Sequence, residues 1–210
     1  MSLGNGNPKE GDKGSNFNYE LNVLQGLEAI AVALENQPPA SGGLFAEIAN
    51  STPIANTITP GSLLGTIVGT TSVPANTFQV GDSFHLKMLG HLGSRNNAGL
   101  RISVYSNGTI PLGATGTMTL PACTNKHWEL NMYFTIRALG AAGTASIMSG
   151  GMFNYTQNAA TTFQGTNFTE ENNTTFDTTV QNKLSVIAEW DGTSNLNSIY
   201  SEVAILQKIY

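Results

Sequence analysis

Charge is scarce in this sequence of 210 residues: nine Lys plus Arg and 14 Asp plus Glu make up 11% of the chain and leave a net charge of −5. With acidic groups in excess there is no basic patch to neutralise phosphates, which excludes nucleic-acid binding as a main role. Long apolar runs are also missing. The most apolar windows, 63–68 and 203–209, fall far short of the roughly 20 residues of a membrane-spanning helix, so no membrane insertion is expected. Residues 1–16 lack the apolar stretch of a secretory signal, so synthesis in a cytoplasm is expected. The single cysteine, Cys123, excludes an intramolecular disulfide. With no second cysteine or histidine cluster beside it, no structural zinc is expected either.

What the chain does contain is neutral and polar. Its 23 Gly, 24 Thr, 22 Asn and 16 Ser fill 85 of 210 positions. Disorder is not the reading, because 40% of the residues are hydrophobic and the net charge is small. Thr and the aromatics favour strands, whereas Gly, Asn and Ser favour turns. The composition therefore predicts a mainly β protein.

The pattern divides the chain into segments. Residues 1–16 carry no apolar residue after Leu3 and read as a flexible tail. Over 17–36, Leu21, Val23, Leu24, Leu27, Ile30, Ala31 and Leu34 recur at the three-and-four spacing of an amphipathic helix, which Pro38 and Pro39 stop. Leu24, Leu27, Ala31 and Leu34 fit the a and d positions of a short heptad seam. A helix of this length is marginal alone, so its stripe needs a partner. Two are open: the chain's own β domain, or a bundle of copies. The breadth of the stripe and the Pro- and Gly-rich stretch 37–43 that isolates it favour copies.

Residues 37–62 read as a linker with a first strand, and 63–210 as an antiparallel β-sandwich, jelly-roll-like head. Strands are predicted over 44–49, 65–71, 83–92, 99–105, 116–120, 128–139, 144–155, 184–190 and 198–210. Alternation is clearest in Phe84, Leu86 and Met88 and in Trp128, Leu130, Met132, Phe134 and Ile136, with His85, Lys87, Glu129, Asn131 and Arg137 on the other face. Val80–Asp82, Asn107–Gly108, Gly140–Gly143 and Asp191–Gly192 read as turns. Residues 156–179 form a long loop or an extra hairpin.

No catalytic set emerges, and none of the cofactor, metal or active-site patterns is present. His85 and His91 lie on one strand face about 20 Å apart, too far to share a metal, and His127 reads as a surface residue. Asp82, Asp177 and Asp191 fall where Asp bonds nearby backbone. Glu170–Glu171 among Asn and Thr oxygens offers at best a weak cation contact. Gly61, Gly65 and Gly69 lack the Lys-Ser/Thr and helix of a phosphate loop. Trp128 and Trp190 sit inside apolar alternations and are expected in the core.

The run from Ser72 to Phe84 (SVPANTFQVGDSF), then Asn97 to Tyr105 (NAGLRISVY), then Trp128-Glu129-Leu130 with Thr135-Ile136-Arg137, resembles the β-sandwich of bacteriophage virion surface proteins. The segment from Asn7 to Phe17 (NPKEGDKGSNF) before a short amphipathic helix is similar to the attachment end of head fibres of crAss-like tailed phages. This resemblance implies a homotrimer on the virion surface. Asn7, Pro8, Lys9, Glu10 and Phe17 would dock on a major capsid or other virion protein, the helices would bundle, and a jelly-roll head would point outward. No long shaft fits between residues 36 and 62, which suggests a short knob. The alternative from another class is a tail-tip protein binding a receptor or a host surface glycan, whose signature would be exposed aromatics within 154–179 or 108–116.

Overall fold

The structure, a computed structural model, describes residues 42–157 and 162–210. The predicted tail and helix, with Leu24, Leu27, Ala31 and Leu34, and the attachment residues Asn7, Pro8, Lys9, Glu10 and Phe17, lie outside the described residues. A compact unit begins at Ser41. Its strands are β1 (Gly42–Ala49), β2 (Ile54–Ala55), β3 (Gly61–Ser62), β4 (Thr66–Gly69), β5 (Ser72–Val73), β6 (Ser83–Ser94), β7 (Ala98–Ser106), β8 (Ile110–Leu120), β9 (Cys123–Ala138), β10 (Ser146–Thr156), β11 (Phe163–Asn172), β12 (Asn182–Trp190) and β13 (Ser198–Lys208). Every pairing is antiparallel. Among the described residues no helix is long and apolar enough to cross a membrane.

The larger sheet runs β11-β10-β9-β6-β13-β1-β4, with β2 on β13; the smaller runs β3-β12-β7-β8, with β5 on β12. The mainly β, antiparallel reading therefore holds, and β1, inside the segment expected to be linker and first strand, is bonded into the larger sheet. Both sheets feed one core. Phe84, Leu86, Met88, Trp128, Leu130 and Met132 come from the larger sheet, and Leu100, Ile102, Val104, Val186 and Trp190 from the smaller. Trp128 is 0% and Trp190 1% exposed, as their alternation predicts.

Period-two patterning explains the long strands. In β6 the burial alternates without a break from Ser83 to Ser94, which puts His85, Lys87, Leu89 and His91 on the side away from the core. That side is called the outer face below. Asn107 and Gly108 both adopt positive φ and turn β7 into β8, so β8 starts earlier than its alternation suggests. Register shifts between Arg101 and Ser103 and between Val104 and Tyr105 hide the period of that stretch. Asp191–Gly192 makes no hairpin, because β12 belongs to the smaller sheet and β13 to the larger.

The 156–179 stretch contributes β11, which pairs with β10 from Ile147↔Asn172 to Thr156↔Phe163. Asn172 closes its end. The Asn172 side chain is buried, and its Oδ1 accepts from the backbone N–H of Thr174, Thr175 and Phe176 at 3.3, 3.0 and 3.0 Å. Its Nδ2 donates to the Pro111 carbonyl and the Thr175 hydroxyl at 3.0 and 2.9 Å. Asn172→Ala orphans several groups at once and is expected to cost about 2 kcal/mol, measured by urea unfolding of the full chain.

Candidate functional site

The outer face of the larger sheet carries a set of rings and hydrogen-bonding side chains drawn from several strands, among them His85, His91, His127, Asn131, Tyr133, Tyr200 and Gln207. Register sets them in rows. His85 is opposite Tyr133 on β9 and Gln207 on β13. The His85 and Tyr133 rings stack at 4.5 Å and 5°. His85 Nε2 donates to Asn131 Oδ1 at 2.8 Å, and Gln207 Nε2 donates to His85 Nδ1 at 3.3 Å. At this end of the face the polar groups satisfy one another.

Six residues further along β6 the arrangement differs. Tyr200, His91 and His127 are direct cross-strand partners, with ring centroids 6.1 Å apart for Tyr200 and His91 and 5.8 Å for His91 and His127. The pairing of Tyr155 with Trp128 carries the same row on to Thr156 of β10, which faces Phe163 of β11. Phe163 is 69% exposed. The neighbouring row runs Leu89, Glu129, Asn154, Gly165. Glu202 Oε2 accepts from His91 Nδ1 at 2.9 Å, and Lys87 Nζ lies 3.5 Å from Glu129 Oε1.

Two depressions border the His91–His127 pair. One of about 290 Å³ is lined by His127, Glu129, Asn154, Tyr155, Thr156 and Phe163. The other, about 210 Å³, has His91, Asn125, Asn195, Leu196, Ser198 and Tyr200 in its walls. Tyr155 donates its hydroxyl to Gln164 Oε1 at 2.6 Å. Burial first, and the nearby Cys123 second, push that hydroxyl up to about 12, so it stays a donor at neutral pH. A third depression, of about 60 Å³, is apolar and opens onto the core side chains Phe78, Phe84, Phe134 and Phe176.

The separately expected sites fall as follows. His85 and His91 share the outer face at opposite ends, whereas His127 joins His91. Among the described residues no three His, Cys, Asp or Glu converge as a metal-ligand set. Asp82 and Asp177 accept from local backbone N–H groups, those of Gln79 at 3.0 Å and Thr179 at 2.7 Å. The Thr179 hydroxyl and then its N–H hold the Asp177 carboxyl below the usual range. Asp191 instead faces Arg95 at 3.5 Å. Glu170 and Glu171, adjacent on β11, point to opposite faces and pool no charge; Glu171 lies 3.6 Å from Arg137. Cys123 is half-buried, with Sγ 3.2 Å from Ser94 Oγ.

No protein-family model, curated protein or solved structure matches the chain. The outer face therefore has to be read from its own chemistry. Sequence reasoning missed the Tyr200–His91–His127–Phe163 row, because its members come from four strands whose register no single-strand pattern reveals. The available signal was that His127 and Glu129 alternate against the core residues Trp128 and Leu130.

Proposed function

We propose that the chain is a non-enzymatic structural protein of a bacteriophage virion, a homotrimeric head fibre or spike. In this reading the N-terminal tail docks on the capsid, residues 17–36 bundle, and a jelly-roll β-sandwich head points outward and aids host adhesion. The observation that carries the trimer is an apolar patch on the outer face at the β4 edge. Val68 is opposite Ala46, and Ala46 is opposite Ile205. Val68, Ile205 and the nearby Ile48 are 54%, 39% and 66% exposed. These side chains lie on β1, β4 and β13, and β1 comes next in the sequence after the short stretch that follows the helix expected over 17–36, whose seam would also need a partner. A low-charge surface supports the same reading, since copies can meet without burying unpaired ions, each of which costs several kcal/mol.

Light scattering on the purified full chain tests it. The expected mass is three times 22.2 kDa, falling toward one chain when Val68 and Ile205 are both changed to Lys. A monomer at micromolar concentration overturns the trimer. Removal of residues 1–20 is expected to leave a folded head that no longer joins particles.

The second reading, a receptor-binding or carbohydrate-binding module, is favoured by one observation. Phe163, within the segment where exposed aromatics were to be its signature, is the most exposed large hydrophobic residue among those described. It stands beside a depression to which His127, Glu129, Asn154 and Thr156 also contribute.

A further inference from the structure

We propose that the Phe163–His127 end of the outer face binds a neutral oligosaccharide, with consecutive sugar units in the depressions on either side of the His91–His127 pair. The inference rests on the carbohydrate-binding reading and assigns it a place and a ligand class. A pyranose presents an apolar C–H face and a rim of hydroxyls. Binding it takes a flat ring at the surface and, within one strand spacing, carboxylate or amide groups held rigidly.

The structure supplies both. Phe163 and His127 stand on either side of Thr156, whose small side chain leaves a gap between the two rings. The neighbouring row sets Glu129 and Asn154 side by side on adjacent strands about 4.8 Å apart. Asn154 is opposite Gly165, and a Cβ there would lie 2.2 Å from Asn154 Oδ1. The missing side chain lets the amide lie across β11 and floors the depression.

Satisfaction of polar groups separates this end of the face from the other. His85, Asn131 and Gln207 are locked to one another. Among the described residues, the Asn154 amide, the Thr156 hydroxyl and the His127 ring nitrogens have no hydrogen-bond partner. Their donors and acceptors are therefore available to ligand hydroxyls without breaking a protein bond, and the strands under them fix their positions, which keeps the ordering cost of binding low. At about 290 Å³ the first depression is at the low end of the roughly 300–1,000 Å³ of small-molecule sites. It takes one sugar unit, and the second depression takes the next.

Charge chooses the class. Glu129, with Lys87 Nζ 3.5 Å away, and Glu202, which accepts from His91, both face the row, and their carboxylates oppose an anionic ligand brought to short range. Sialic acids and uronic acids are disfavoured, whereas neutral hexoses and N-acetylhexosamines are not.

Saturation-transfer NMR on the full chain, with maltotriose, cellotriose, N,N′-diacetylchitobiose and sialyllactose as probes, tests the proposal. At least one neutral probe is expected to bind, and sialyllactose is not. Phe163→Ala and Glu129→Gln are each expected to weaken the neutral ligand tenfold or more by titration calorimetry, with the melting temperature unchanged because both side chains are at the surface. Tyr133→Ala, at the satisfied end of the face, is expected to leave affinity unchanged. A neutral ligand whose affinity ignores both Phe163→Ala and Glu129→Gln overturns the site while the carbohydrate reading stands. Preference for sialyllactose overturns the ligand class. Absence of binding to all four probes removes the carbohydrate reading itself.

Discussion

Lys208→Met is expected to destabilise the β body by about 3–5 kcal/mol, the usual cost of stripping one partner from a buried ion pair. Lys208 Nζ lies 2.7 Å from Asp82 Oδ1, and the two side chains are only 16% and 4% exposed. The asymmetry decides which partner matters more. A lysine that loses its carboxylate can swing its flexible stem toward water, whereas Asp82, anchored by the Gln79 N–H at 3.0 Å on its other oxygen, cannot leave. Asp82→Asn is therefore expected to cost less than Lys208→Met. The double variant, which leaves neither charge behind, should recover much of the loss. Thermal unfolding reads the difference directly, with a fall in Tm of roughly 10 °C for Lys208→Met. A Lys208→Met protein that melts like the wild type would show that the pair contributes nothing.

The second large effect centres on Trp128 and Gly90. The indole is fully buried, and its N–H donates to the carbonyls of His91 at 3.2 Å and Tyr200 at 3.1 Å. It reaches two strands because Gly90 leaves the sheet bare beneath it: a Cβ there would lie 2.9 Å from Trp128 Cε2, but also 2.0 Å from the Tyr200 carbonyl oxygen. Trp128→Ala is expected to cost about 3–5 kcal/mol as a cavity and two lost acceptors' partner. Gly90→Ala is expected to cost about 3 kcal/mol by overpacking. The distances also predict how the two combine. Since the closer clash is with backbone, Trp128→Ala should not rescue Gly90→Ala, and chemical denaturation of the double variant checks this. Rescue would mean that the indole, not the β13 backbone, is what Gly90 makes room for.

Both effects trace to residues whose place in a strand or turn is readable in the sequence, yet neither pairing is. Alternation marks Trp128 as inward and His127 as outward without knowledge of the fold. It also places Phe84, Leu86 and Met88 on one face. The two-residue strands β2, β3 and β5 leave no period to detect, and the bulges along β7 and β8 break the one that is there. Pairing is different in kind. That Lys208 meets Asp82, that Gly90 lies under Trp128, and that Tyr200, His91, His127 and Phe163 fall in one row all depend on which strands are neighbours and in what register. Those facts are set by the whole sheet and not by any segment of it. The proposed glycan site was invisible for the same reason: its exposed aromatic was anticipated as a class of residue, but its polar companions come from two other strands.

The placement of β13 has a consequence for how the protein comes to be folded. The strand lies inside the larger sheet, bonded to β6 on one side and to β1 on the other, although β1 and β6 are both made long before it. On the ribosome, β1 and β6 must wait with open edges until Ser198–Lys208 has emerged, and only then can the sheet join into one layer. Pairing of such distant segments is slow, and waiting edges invite pairing with other chains. For a low-charge sequence rich in Thr and Asn, the hazardous interval is thus the time spent before the last strand slots in, and a chaperone that shields those edges would act on yield far more than on final stability.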